Sequence, residues 1–183
     1  MEINKRKSHI AFGKIYFWTA TIHKWLPLLQ EDEMKNIIIQ SLQKLSVQNK
    51  IIIYGLVIMP THVHFMWQQN MLNGKETPVG SFMKFTAHMF RRQLMNEGKL
   101  QLYKVKAGNK SHEIWQRDSL AIEIYTRKVA DQKLRYIHRN PNKGKWHLSK
   151  DDISYYYSSA RFYEVGEDHF GFLKNIYTVF DSL

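Results

Sequence analysis

Residues 50–68 read KIIIYGLVIMPTHVHFMWQ, and this stretch decides the fold. Its first ten residues are a near-continuous apolar run, which marks a central strand covered on both faces. Pro60-Thr61 makes a tight connection. Residues 62–68 then resume as an aromatic and β-branched segment, the hairpin partner of the first run. Upstream, residues 13–23 (GKIYFWTATIH) have strand composition, and residues 31–48 place Met34, Ile37, Ile38, Leu42 and Leu45 at helical spacing. Downstream, residues 79–96 form a second helix, with Phe82, Phe85, Met89 and Phe90 facing inward and Gly98 just past its end. A fourth strand is expected at residues 100–105 or 112–115. Residues 122–140 read as a third helix stopped by Pro141. The order β-α-β-β-α-β predicts an α+β, ferredoxin-like antiparallel sheet with helices on one face and an added C-terminal helix. That architecture hosts many chemistries and decides none of them.

At 183 residues the chain is expected to be one domain, with a core over about residues 10–165 and a tail at residues 166–183. A hydrophobic fraction of 44% and an aromatic fraction of 14% exclude a disordered chain. The absence of cysteine excludes disulfide scaffolds, thiolate metal sites and cysteine nucleophiles, and a cytoplasmic location is the simplest expectation. The longest apolar run, residues 51–59, is far short of the ~20 residues a spanning helix needs, so no membrane partner is expected.

Charge points to a polyanion. Lys plus Arg is 27 against 16 Asp plus Glu, for a formal charge of +11. Residues 101–150 alone hold 12 basic and 4 acidic side chains, whereas residues 151–183 are net acidic. Cations that meet phosphates release condensed counterions, so nucleic acid is the natural partner. Lys104, Lys106, Arg117, Lys133, Arg139, Lys143 and Lys145 are the candidate contacts.

His62 and His64 flank Val63 in the second hairpin strand. Strand side chains alternate, so both imidazoles share a face and form a natural pair of metal ligands. Nine histidines in 183 residues give roughly 0.4 such pairs by chance, so the spacing also fits two half-buried histidines bonded to backbone. The third helix carries Tyr136. At about 100° per residue, Asn140, Gln132, Lys133 and Arg139 fall within about 60° of it, while Ile137, Ala130 and Leu134 form the apolar stripe. His138 falls on the far side. Tyr136 therefore projects from a cationic face, either as a site residue or as a tyrosine covering the edge of the core.

The sequence resembles the single-tyrosine HUH transposases, the IS200-like group, and within them the REP-associated tyrosine transposases. The resemblance is carried by Val57-Ile58-Met59-Pro60-Thr61-His62-Val63-His64-Phe65, residues 79–92, Ile114-Trp115-Gln116-Arg117-Asp118, Tyr136-Ile137-His138-Arg139-Asn140-Pro141 and Tyr157-Ser158-Ser159-Ala160-Arg161-Phe162-Tyr163. The resemblance as a whole extends over about residues 10–165. Thr61 stands where the family usually has Asn, and Asn142 where it often has a small apolar residue; neither change is expected to touch the chemistry. The resemblance implies a DNA transposase that cleaves and rejoins single-stranded or hairpin DNA through a 5′-phosphotyrosine, with Tyr136 as nucleophile. It also implies a divalent metal, Mg²⁺ or Mn²⁺, held by His62, His64 and Asn140, in a monomer or a homodimer. Lys133 and Arg139 would flank the tyrosine. Trp115 is either a base-stacking residue or part of the core, and Tyr157 and Tyr125 are the competing nucleophiles. Two other readings stand beside this one: a non-catalytic or domesticated DNA hairpin-binding protein, and a metal-dependent hydrolase that uses water.

Overall fold

The computed structural model describes residues 10–107, 110–117, 119–144 and 146–181. In chain order its elements are β1 (Ile15–Thr21), α1 (Asp32–Val47), β2 (Ile51–Met59), β3 (His62–Gln69), α2 (Pro78–Asn96), β4 (Lys104–Ala107), β5 (Lys110–His112), β6 (Leu120–Glu123), α3 (Arg127–Arg139), α4 (Ala160–Val165) and α5 (Tyr177–Phe180). β2, β3, β1 and β6 form one sheet in that order, antiparallel at every pairing. This is the expected ferredoxin-like topology. No helix among the described residues is long and apolar enough to cross a membrane.

The fourth strand is a correction. It is β6, not residues 100–105 or 112–115. Those earlier segments supply a separate two-stranded hairpin, β4–β5, while Trp115 makes only an isolated bridge to Ile22. Ile122, expected in the third helix, lies in β6. The helix begins after Thr126, whose hydroxyl accepts from the Val129 N–H as an N-cap. Phe85 is also corrected: it is exposed, and Thr86 takes the inward position, accepting from the Trp115 indole N–H at 2.9 Å. Trp115 is therefore a core residue.

Two apolar layers flank the sheet. α1 and α2 cover one face, packing on Trp18, Leu56, Ile58, Val63, Phe65 and Trp67. α3 covers part of the other face with Ala130, Leu134 and Ile137, against Val57, Met59 and Met66. A register shift between Ile53 and Gly55 in β2 changes which residues face each layer; a one-residue slip in a strand exchanges its two faces. Gly55 also lets α3 approach, because a Cβ there would lie 2.9 Å from Leu134 Cδ2. The segment expected to be a tail packs onto the sheet. Leu173 bridges Ile53, Phe170 and Phe172 join the first layer, and Ile176 joins the second.

α3 packs mainly over β2 and β3, and its Tyr136 and Lys133 reach Phe17 of β1. The same face of β1 and β6 is left open, and that open half is where the site forms.

Candidate active site

A cleft of about 770 Å³ occupies this open half-face. Its floor comes from β1 and β6: register pairs Thr19 with Leu120 and Phe17 with Ile122, so all four side chains point the same way. β3 contributes His62 and His64, paired with Thr21 and Thr19 of β1. Tyr136 and Lys133 enter from α3, and Asn140 and Lys143 from the turn that follows it. The structure thus gathers His62, His64, Tyr136, Asn140, Lys133 and Lys143 into one cleft.

The two imidazoles sit edge to face, ring centroids 4.8 Å apart. Each is fixed through Nδ1 by a threonine hydroxyl: Thr19 Oγ1 to His64 at 2.7 Å, and Thr61 Oγ1 to His62 at 3.0 Å. The tautomer in which Nδ1–H donates to the hydroxyl leaves the Nε2 lone pair for another partner. His64 Nε2 is buried and has no hydrogen-bond partner among the described residues. Burial holds both rings neutral. His62 is lowered to about 4, opposed by its hydrogen bond with the Asn140 side chain. His64 is lowered to about 3, with the charges of His62 and Lys133 adding to burial. Thr61 therefore contacts the site directly, through the His62 ring. Asn142 instead bonds Asp152 and Ser149.

Tyr136 is 41% exposed and lines the cleft. Its ring packs edge-on against His64 (5.1 Å) and Phe17 (5.8 Å), which sets its direction along the histidine pair. Tyr136 lies near the C-terminal end of α3, where the helix dipole disfavours an anion. Two cations offset that: Lys143 Nζ lies 5.6 Å from the Tyr136 ring and Lys133 Nζ 4.7 Å from the Phe17 ring. Among the described residues, neither lysine is in an ion pair.

The other tyrosines lie elsewhere. Tyr157 is buried, its hydroxyl donates to Asn36 at 3.2 Å, and burial pushes its phenol up to about 12. Tyr125 is exposed and does not line the cleft. His138 faces away, as the helical spacing predicts, and meets Ser159 Oγ at 3.0 Å. Arg139 also turns from the cleft, toward Asp152 at 4.0 Å. Arg117 pairs with Glu113 at 3.4 Å, and Lys104 and Lys106 are exposed on β4, outside the cleft. Lys145 lies outside the described residues. Phe17, Thr19 and Trp25 also line the site. Sequence reasoning missed them, although the alternation of β1 against β3 would have placed Phe17 and Thr19 beside the histidines.

The donor set suits a divalent metal. Two neutral imidazoles have their outer nitrogens tied, one inner nitrogen is buried and unpartnered, and the Asn140 amide is hydrogen-bonded to His62. Among the described residues no group of three His, Cys, Asp or Glu side chains gathers to hold a metal, and the Asn140 amide is the further polar group beside the pair.

No family model and no curated protein matches the chain. Among solved structures, it is similar to a REP-associated tyrosine transposase bound to a REP hairpin, with a TM-score of 0.63 and 17% identity, over 95% of this chain and 93% of that one. A candidate transposase from Deinococcus radiodurans R1 aligns at a TM-score of 0.42 and 14% identity, over 76% of this chain and 97% of that one. The chain has the fold of a REP-associated tyrosine transposase.

Proposed function

We propose that the protein is a transposase-type DNA strand-transfer enzyme that cuts and rejoins single-stranded, hairpin-bearing DNA through Tyr136. The observation that carries this reading is the convergence of an exposed tyrosine, a buried neutral histidine pair, an amide and two lysines in one cleft. The similar solved structure binds a REP hairpin, which supports a hairpin substrate. His62, His64 and Asn140 would hold a divalent ion, which when bound supplies Lewis-acid polarisation of a phosphate oxygen.

The chain's own residues do the rest. Lys133 and Lys143 bind the backbone phosphates and offset the charge that builds on the transferring group. The packing of Tyr136 against His64 and Phe17 aims its hydroxyl at the phosphorus. The phenol oxygen bonds to phosphorus as the phosphorus–O3′ bond breaks. The phenol proton is released, and the departing oxygen takes up a proton to become a 3′-OH. The product is a 5′-phosphotyrosine at Tyr136. Attack by a 3′-OH on that phosphotyrosine reverses the step and restores the tyrosine, so rejoining needs no external energy source.

The test is cleavage of a labelled hairpin oligonucleotide. Nicking should require Mg²⁺ or Mn²⁺, stop in excess chelator, and stop in His62→Ala and His64→Ala. Asn140→Ala should need more metal without losing the reaction. Nicking that persists in chelator would overturn the metal assignment.

A further inference from the structure

We infer that Trp25 is the platform on which a nucleobase next to the cleaved phosphate stacks; this deepens the strand-transfer reading above and rests on it. Trp25 lines the cleft and is 58% exposed, whereas Trp18, Trp67 and Trp115 are buried. Its ring centroid lies 5.6 Å from that of His62 at an interplanar angle of 67°, an edge-to-face contact, and more than half of the residue stays exposed.

The backbone beneath it is unusual. Lys24 and Trp25 both have positive φ, 53° and 57°, in the left-handed region that bulky side chains avoid. The turn is held from several sides. The Trp25 N–H donates to the Ile22 carbonyl at 2.9 Å, the Leu26 N–H to His23 at 3.1 Å, and the His23 N–H to Ile114 at 2.7 Å. The buried His23 ring lies 3.4 Å from a Glu113 carboxylate oxygen. A fold gains nothing by forcing two non-glycine residues into this conformation merely to hold a large aromatic ring in water. Strain of this kind persists where the surroundings over-determine it, and it collects at functional sites.

The surroundings identify the occupant. The lysines and the histidine pair place a phosphate in the cleft, and the bases on either side of that phosphate are then the groups within reach of Trp25. Leu120 and Ile122, both partly exposed, add an apolar wall to the same cleft. An electropositive groove with an exposed aromatic face is the arrangement that binds single strands, and stacking tolerates any base because each has a π-face. The occupant is therefore a base of the DNA strand rather than an apolar peptide or a second copy of the chain.

Fluorescence anisotropy with a labelled single-stranded hairpin oligonucleotide, in chelator so that no bond is cut, tests this. Trp25→Ala should weaken binding about 5- to 150-fold, the usual range for one stacked base. An abasic nucleotide stepped along the strand should weaken wild-type binding by a similar factor at one position beside the cleaved bond, and should cost Trp25→Ala nothing further there. Trp25→Gly, which accepts the positive φ, should raise the thermal midpoint of the free protein while losing DNA affinity. Equal affinity of wild type and Trp25→Ala, equal losses for intact and abasic strands, or a lowered midpoint in Trp25→Gly would overturn the inference. A wild-type protein that binds no single-stranded DNA would overturn the strand-transfer reading itself. Wild-type binding that is indifferent to Trp25 would overturn only the stacking role.

Discussion

Replacing Thr19 by Val keeps the shape of the β1 side chain and removes the hydroxyl that holds His64 Nδ1 at 2.7 Å. His64 is 4% exposed, so water does not readily replace the lost partner. A buried polar group left unpaired costs ~1–3 kcal/mol. For a chain of this size each kcal/mol lowers the thermal midpoint by about 2–4 °C, so the variant should melt about 2–12 °C below wild type in chelator. The second effect is on metal. With Nδ1–H donated to the hydroxyl the ring offers Nε2, and losing an outer partner of this kind weakens metal affinity by about 10- to 100-fold. Isothermal titration with Mn²⁺ and a melting curve read the two effects separately. Thr19→Ser, which restores the hydroxyl, should recover most of both. If Thr19→Val matches wild type in midpoint and in Mn²⁺ affinity, the threonine does not orient His64 and the tied-imidazole account fails.

Other outcomes follow from the same geometry. Gly55→Ala puts a Cβ 2.9 Å from Leu134 Cδ2, so it should lower stability by about 1–3 kcal/mol in urea unfolding and slow strand cleavage by displacing α3 and with it Tyr136. Burial lowers His62 and His138 to about 4 and His64 to about 3, while the unfolded chain titrates near 6.5. The unfolded state therefore binds more protons as pH falls. Stability is whole above about pH 6.5 and is lost through the window down to about 4 for His62 and His138 and about 3 for His64, with each histidine costing between about 1 and 2 kcal/mol at pH 5.5, about 4 kcal/mol together. Melting curves at pH 7.5 and 5.5 check this, and metal that competes with protons at the pair should reduce the loss. DNA affinity should fall steeply with salt, and Lys133→Ala or Lys143→Ala should lower the slope of log affinity against log salt by about 1 each.

The hairpin at residues 50–68 was legible because an unbroken apolar run, a proline and a strict alternation agree with one another. The histidine pair was legible for the same reason: two residues apart in a strand means one face. The face of Tyr136 was legible because α3 has a clean apolar stripe, Ala130, Leu134 and Ile137, all buried. β6 was not. It is four residues long and lies at the sheet edge, and its Leu120 and Ile122 stay partly exposed over the cleft. The helical periodicity that follows therefore absorbed Ile122, although Thr126 is a readable N-cap. The role of Thr61 needed a rotamer, since only its Oγ1 position shows that it binds His62. Trp25 needed the left-handed turn, which no residue type in Lys24-Trp25 announces. Arg139 fell on the predicted side of the helical wheel but pairs outward with Asp152, an acidic partner supplied by a loop that periodicity does not place.

The central claim is that Tyr136 forms the covalent bond. The measurement is a denaturing gel of protein incubated with a labelled hairpin oligonucleotide and Mg²⁺, followed by peptide mapping of the protein–DNA band by mass spectrometry. The account predicts a nucleotide mass on the peptide containing Tyr136. Tyr136→Phe, which keeps the ring against His64 and Phe17, should lose both adduct and nicking without a shift in thermal midpoint. An adduct mapped to Tyr125 or Tyr157, or nicking by Tyr136→Phe with no adduct at all, would contradict it.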